Sequence, residues 1–318
     1  MKITILEPLS VEDSKLKQMA KYITNEGHEL EIYNTIAKDD EEAKERVKDT
    51  DILIIANSLL SGEVIRTAKN LKMISVAFTG YDHVDLEACR ERNILVSNAA
   101  GYSTTSVAEL AYGLIIGLYR NILPMDKATR DGRTKAGYRY RDLYKKTIGV
   151  VGTGAIGKHV ANIALAFGCK VVAYDKDENN SLKFSGVKYL DLEELLKVSD
   201  IVTVHLPLLE STRKLFGRKE FELMKDDAIF INTARGPIVD NDALADALNE
   251  NIIGGAGIDV FDIEPPLKGE EKLLKAKNTI VTPHIAFFTE EAMVRRAEIT
   301  FDNVYSWINK KPKNIVSS

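Results

Sequence analysis

The span from residue 147 to residue 175 constrains the fold more than any other part of the chain. An apolar run, Ile148-Gly149-Val150-Val151, leads directly into Gly152-Thr153-Gly154-Ala155-Ile156-Gly157, a G-x-G-x-x-G, and then into a helical pattern over 158–167. A second apolar run, Val171-Val172-Ala173-Tyr174, ends in Asp175. Strand, glycine turn, helix, strand and acid in this order, with the acid roughly 20 residues past the first glycine, specify a parallel βαβ unit that binds a dinucleotide. Gly152 permits the tight turn, Gly154 lets a pyrophosphate approach the backbone, and Gly157 lets the helix pack on the strand. The helix N-terminus offers unpaired N–H groups to the phosphates. A carboxylate at Asp175 accepts from both ribose hydroxyls and repels a 2′-phosphate, which favours NAD over NADP.

The same rhythm runs through the rest of the chain. Apolar strand patterns at 2–6, 29–33, 52–56, 73–77 and 94–98 alternate with amphipathic patterns at 11–25, 41–48, 62–69 and 85–92. The alternation restarts near residue 146, with strands at 147–151, 171–174, 201–205, 228–232, 255–259 and 279–281, and a last helix over 290–309. Strands alternating with helices imply parallel sheets covered on both faces. The 318 residues suit two domains. The expected fold is therefore α/β, two tandem doubly wound parallel-sheet domains of Rossmann or flavodoxin-like type. A helix over 104–120 and a polar, basic stretch over 126–146 read as the linker between them.

Composition removes several function classes. Forty-three basic residues stand against 47 acidic ones, a net charge of −4 with both signs dispersed, so no basic stripe for nucleic acid is present. The longest apolar stretch, 107–119, contains Glu109 and falls short of the roughly 20 residues a membrane span needs. The apolar run at the N-terminus is too short for a signal sequence. Two cysteines, Cys89 and Cys169, make no disulfide framework, and a reducing cytoplasm is the expected compartment. The histidines lack metal-ligand spacing, so no metal is expected.

Three further segments fall where strands end, the place where open parallel sheets bind ligands. They are Ile231-Asn232-Thr233-Ala234-Arg235-Gly236-Pro237, Gly257-Ile258-Asp259-Val260-Phe261-Asp262-Ile263-Glu264-Pro265-Pro266, and Val281-Thr282-Pro283-His284-Ile285-Ala286. Arg235 suits a bidentate grip on a carboxylate. His284 suits proton transfer near neutral pH, and Glu264 suits holding its imidazole and stabilising the protonated form. A carboxylate clamp, a proton donor and a nicotinamide together describe reduction of a 2-keto acid.

These residues resemble the D-isomer-specific 2-hydroxyacid dehydrogenases over nearly the whole chain. The motifs that carry the resemblance are Gly152–Gly157, Val204-His205-Leu206-Pro207, 232–239, 257–266 and Pro283-His284. The resemblance implies a substrate domain of residues 1–98 plus 288–318, an NAD-binding domain of 99–287, and an active site in the cleft between them. It implies that Arg235 binds the substrate carboxylate, that His284 is the acid/base, and that Glu264 is its partner. It implies that Asp259 meets the nicotinamide carboxamide, that Ala155 and Ile156 lie over the pyrophosphate, and that Thr233 and Ala234 line the nicotinamide. Thr104, His205, Pro207 and Ala286 are implied as further cofactor contacts. The Phe78-Thr79-Gly80-Tyr81 loop is implied to offer backbone N–H groups to the substrate carboxylate, with pocket walls from Phe78, Tyr81, Leu59, Leu60, Phe287 and Phe288. The D configuration of the product and a homodimer through the NAD-binding domain rest on the resemblance as well.

Glu264 stands where formate dehydrogenases of this fold carry glutamine, which disfavours that branch. The segment Ile55-Ala56-Asn57-Ser58-Leu59-Leu60 has no arginine for a substrate phosphate, which disfavours phosphoglycerate dehydrogenase but leaves it as an alternative. An NAD-sensing, co-repressor-like binding protein is the alternative outside enzymes.

Overall fold

In the computed structural model, which describes residues 1–263 and 267–317, the chain forms two compact units. One is Met1–Ser103 with Thr289–Ser318, the other Thr104–Phe288. Both are α/β with parallel-sheet cores, the expected fold class.

The first unit is built on strands β1 (Lys2–Ile5), β2 (Glu29–Ile32), β3 (Ile52–Ile55), β4 (Met73–Val76) and β5 (Leu95–Asn98), with β13 (Ile315–Ser317) returning from the C-terminus. Their order across the sheet is β13-β5-β4-β3-β1-β2. β1 to β5 pair in parallel, and β13 pairs antiparallel with β5. Every residue of β3 and β4 is buried, which is why their sequences run apolar without alternation. On one face, Ile3, Ile5, Ile52 and Ile54 pack with Ala297, Phe301 and Val304 of the helix Glu290–Ile308. A period of two on the strands meets a spacing of four and three on the helix. The pattern over 11–25 forms two short helices, Asp13–Met19 and Lys21–Thr24, rather than one. The C-terminal strand leaves no signal in the sequence, because three residues are too few to display a period.

The second unit is built on β6 (Thr147–Val151), β7 (Lys170–Tyr174), β8 (Lys188–Tyr189), β9 (Ile201–Val204), β10 (Ile229–Asn232), β11 (Gly255–Ile258) and β12 (Thr279–Val281). All pair in parallel, in the order β12-β11-β10-β9-β6-β7-β8. On one face Val204, Phe230 and Ile258 pack against Phe216, Phe221 and Leu244. On the other, Ile148, Val150 and Ile231 pack against Ala108, Ala111 and Ile115 from the helix Thr104–Tyr119. That helix is no linker. It lies on the sheet so closely that a Cβ on Gly257 would stand 2.8 Å from Cβ of Leu114. The polar stretch expected after it begins in a second helix, Ile122–Arg130, separated from the first by Asn121 in the left-handed region.

Each sheet reverses its winding once, between β1 and β3 in the first unit and between β6 and β9 in the second. The crevice at such a reversal is where ligands bind in this architecture. In the first sheet the chain's own Glu7 fills it: the buried carboxylate accepts from the N–H of Ala56 at 2.8 Å and of Ser58 at 3.1 Å, and from the Ser58 hydroxyl. In the second sheet the crevice carries glycine.

Candidate active site

Gly152 ends β6 with φ +94°, and a Cβ there would lie 2.7 Å from the His205 carbonyl at the end of β9. A Cβ on Gly157 would stand 1.8 Å from the Gly152 carbonyl oxygen. Both positions are closed to any side chain by backbone. Gly154 differs: nothing lies within 4 Å of its Cβ position. It is the N-cap of the helix Ala155–Ala166 and makes no side-chain cap. Among the described residues, the N–H groups of Gly154, Ala155 and Ile156 have no protein acceptor, and Gly154 and Ala155 are exposed. An uncapped helix N-terminus with an open approach over a glycine fits a pyrophosphate, the bridging group of NAD.

Asp175 follows β7 and turns back on this loop. Its carboxylate accepts from the Thr153 N–H at 2.5 Å and from the Thr153 hydroxyl at 3.0 Å. Tyr189, in β8, donates its hydroxyl to Thr153 Oγ1 at 2.9 Å and accepts from the Asn179 N–H at 2.9 Å. Thr153 and Tyr189 thus set the orientation of the carboxylate, and neither was singled out in the sequence, since their part depends on a neighbouring strand. His205 bonds through Nε2 to Thr203 Oγ1 at 2.9 Å. Burial pushes its pKa down to about 3, so it carries no charge near neutral pH. Pro207 is exposed two residues on, and Thr104 is the half-buried first residue of the helix Thr104–Tyr119.

The ends of β10, β11 and β12 are stitched together. The side chain of Asn232, fully buried, accepts from the Ala234 N–H at 3.0 Å and donates to the Arg235 carbonyl at 3.0 Å, closing the turn that presents Arg235. One guanidinium nitrogen of Arg235 donates to the Ala234 carbonyl at 2.8 Å. Gly236 brings this turn against the next: a Cβ there would stand 1.9 Å from the Phe261 carbonyl. Asp259 donates its N–H to the Asn232 carbonyl at 3.0 Å and accepts the His284 N–H on its own carbonyl at 2.8 Å. The Asp259 carboxylate, fully buried, accepts from Thr282 Oγ1 at 2.5 Å, Ile285 N–H at 2.9 Å and Ala286 N–H at 2.8 Å. Burial raises its pKa, and these three donors act against that rise.

This bracket holds His284 at φ +57°, a left-handed conformation that costs a non-glycine residue of order 1–3 kcal/mol and persists only when the surroundings over-determine it. The imidazole packs edge-on against Phe287, with ring centroids 5.1 Å apart. The structure therefore brings the Arg235 turn, Asp259 and the His284 loop together. Ala286 is buried with its N–H taken by Asp259, Ala234 is half-buried, and the buried Thr233 hydroxyl has no partner among the described residues. Glu264 lies outside the described residues.

In the first unit the 78–81 loop leaves β4 with its carbonyls engaged and its amides open. The Phe78 carbonyl accepts from Ala99 N–H at 2.9 Å and the Thr79 carbonyl from Asn98 Nδ2 at 2.7 Å. The N–H groups of Thr79, Gly80 and Tyr81 have no protein acceptor among the described residues. Successive free amides form a concavity for an anion. Of the expected pocket walls, Phe78 and Leu60 are buried. Phe78 packs on Tyr102, with centroids 6.0 Å apart, and Leu60 bridges to Val84. Leu59, Tyr81 and Phe288 are exposed.

No helix is long and apolar enough to cross a membrane among the described residues.

Comparison with known proteins gives the family of the chain. Residues 112–286 match the family described as D-isomer specific 2-hydroxyacid dehydrogenase, NAD binding domain. The chain is 38% identical over 290 residues to a hydroxypyruvate reductase of Thermotoga maritima, covering 90% of this chain and 93% of that one. It is 37% identical over 311 residues to a D-3-phosphoglycerate dehydrogenase of Methanocaldococcus jannaschii, covering 96% of this chain but 57% of that one. A D-lactate dehydrogenase from Aquifex aeolicus, solved with NAD and lactic acid, superposes with a TM-score of 0.86 at 30% identity, over 100% of this chain and 99% of that one. The chain belongs to the D-isomer-specific 2-hydroxyacid dehydrogenases and is an NAD-dependent oxidoreductase.

Proposed function

We propose that this enzyme reduces a small 2-keto acid to the D-2-hydroxy acid, with Arg235 gripping the substrate carboxylate and His284 protonating the carbonyl oxygen. The observation that carries this reading is the Asp259 bracket. One buried carboxylate secures the loop of His284, and the same residue's backbone ties that loop to the turn of Arg235. A guanidinium and an imidazole presented beyond the ends of β10 and β12, the two strands that flank β11, suit a substrate that carries an anion beside a carbonyl.

NADH, when bound, would supply the hydride for the keto carbon. Arg235 orients the substrate through its carboxylate, and His284 delivers a proton to the oxygen as charge builds there. Glu264 is assigned as the partner that holds the imidazole. The Ala155 and Ile156 amides take the pyrophosphate, Asp175 the ribose hydroxyls, and Thr233 and Ala234 the nicotinamide side. Asp259 serves as the bracket, and a bond to the nicotinamide carboxamide would add to those it already accepts. In the first unit, the Thr79, Gly80 and Tyr81 amides serve the substrate carboxylate. Leu59 and Tyr81, both exposed, are candidates for the side-chain pocket and favour a small or apolar group.

The reading includes a substrate-binding role for the first unit and an NAD-binding role for the second, a cytoplasmic location, and a homodimer formed through the second unit. Ile122, Leu123, Tyr138, Tyr140 and Tyr144 of that unit are exposed and are candidates for the contact.

The test is NADH oxidation against pyruvate, glyoxylate, hydroxypyruvate, phosphohydroxypyruvate, 2-ketoisocaproate and phenylpyruvate, repeated with Arg235→Ala and His284→Asn. Turnover on one keto acid is expected, with kcat/KM lowered at least tenfold in each variant. Preference for phosphohydroxypyruvate would make the enzyme a phosphoglycerate dehydrogenase. Tight NADH binding without turnover on any of them would replace catalysis with an NAD-sensing role.

A further inference from the structure

We propose that Asn98, Asn303 and Asn314 form a relay that aims the open amides of the 79–81 loop, making Asn98 and Asn303 positioning residues for substrate binding. The proposal rests on the reading that this loop receives the substrate carboxylate.

A trans peptide unit is planar, so its C=O and N–H point in opposite directions. Holding the Phe78 carbonyl therefore sets the direction of the Thr79 N–H, and holding the Thr79 carbonyl sets that of the Gly80 N–H. Ala99 N–H does the first at 2.9 Å and Asn98 Nδ2 the second at 2.7 Å. Asn98 is in turn clamped by its own backbone. Its N–H donates to the Asn314 carbonyl at 3.0 Å, and its carbonyl accepts from Asn303 Nδ2 at 2.8 Å. The remaining side of the triangle is Asn314 Nδ2 to Asn303 Oδ1 at 2.7 Å.

The amide orientations follow from chemistry. A carbonyl only accepts, so Asn98 and Asn303 must both turn their NH2 groups toward main-chain oxygens, which leaves Asn303 Oδ1 to accept from Asn314. Asn303 is fully buried on the helix Glu290–Ile308, one residue from Val304 in the apolar cluster. A polar group there is unfavourable unless bonded, and the relay bonds both ends of its amide. Asn314 stands at φ +51°, a conformation asparagine tolerates better than most residues. It turns the chain into β13 beside β5, so the short C-terminal strand becomes the outer brace of the loop.

The experiment compares Asn98→Asp, Asn314→Gly and Gly80→Pro in the full-length enzyme. Asn98→Asp keeps the shape, removes the donor and sets a carboxylate oxygen against the Thr79 carbonyl. Asn314→Gly keeps the left-handed turn and removes only the amide, so it folds even where a change at buried Asn303 would not. Gly80→Pro deletes one cradle N–H directly, with Tyr81→Pro as its replacement if that chain misfolds. The readouts are KM and kcat for the preferred keto acid, the Kd of oxamate in the presence of NADH, and the Kd of NADH alone.

Asn98→Asp is expected to raise KM and the oxamate Kd roughly tenfold or more. Asn314→Gly should raise them about two- to fivefold, with kcat and NADH affinity nearly unchanged. A parallel loss of NADH affinity would mark a global defect and overturn the relay. If Gly80→Pro weakens oxamate binding while Asn98→Asp and Asn314→Gly do not, the loop binds the carboxylate but the relay does not aim it. If all three leave oxamate binding intact, the relay falls together with the reading beneath it.

Discussion

Replacing Gly154 and Gly157 in turn by alanine separates what the glycine motif does for the fold from what it does for the cofactor. At Gly157 the new Cβ would stand 1.8 Å from the Gly152 carbonyl oxygen, about half a normal contact distance, and the obstacle is backbone that cannot rotate away. Overpacking of this kind costs ~1–3 kcal/mol or more, a drop of several degrees in Tm for a unit of this size. At Gly154 the Cβ position meets nothing within 4 Å, φ is −61°, and the residue is a helix N-cap. Alanine is a poorer N-cap than glycine by no more than about 1 kcal/mol, so Tm should fall by no more than about 4 °C.

The methyl group would occupy the approach to the Ala155 and Ile156 amides. Displacing a phosphate oxygen from one charge-assisted hydrogen bond costs about 1.5–3 kcal/mol, a rise in the NADH Kd of roughly 10- to 100-fold. Thermal unfolding and NADH fluorescence titration on the same preparations decide the matter. Gly154→Ala binding NADH within about twofold of the parent would refute the placement of the pyrophosphate over this residue. Gly157→Ala with an unchanged Tm would refute the packing argument.

Two further outcomes follow from the same site. If the Asp175 carboxylate excludes a 2′-phosphate, Asp175→Ser should raise the NADPH-to-NADH ratio of kcat/KM at least tenfold, and an unchanged ratio would remove Asp175 from cofactor choice. His205 has its pKa pushed by burial to about 3, against about 6.5 in the unfolded chain, so below that value the unfolded state binds a proton that the folded state refuses. Its contribution is full above pH ~6.5 and is lost as pH falls toward 3, at about 1.4 kcal/mol per pH unit. Between pH 6.5 and 4.5 the parent should lose up to about 2.7 kcal/mol more unfolding free energy than His205→Gln, measured by urea titration, and parallel curves for the two proteins would contradict this.

The parts of the molecule legible in sequence are those whose physics is local. Ile148 to Val151, the three glycines and Asp175 announce a βαβ unit because each element is longer than its own period and the turn accepts only glycine at Gly152. The apolar runs of β3 and β4 announce a sheet covered on both faces. Arg235 and His284 were legible as residue types at strand ends, since a parallel sheet places all such ends on one edge. The helix Thr104–Tyr119 reads as a linker in sequence because apolarity alone does not say which surface a helix covers; the small residues of β11, distant in sequence, decide that.

What sequence alone determined, then, is the architecture, the dinucleotide site and the chemical types available at the strand ends. Tertiary structure decided how those types are held. Only the paired strands reveal that Asp259 carries the His284 loop in a left-handed turn, that Asn232 shapes the turn of Arg235, and that Thr153 and Tyr189 orient Asp175. Only the returning C-terminus reveals that Asn314 and Asn303 support Asn98 beneath the 79–81 loop. A hydrogen bond across 200 residues of chain leaves no periodic trace, because its partners are chosen by the distance between folded elements and not by their spacing along the sequence.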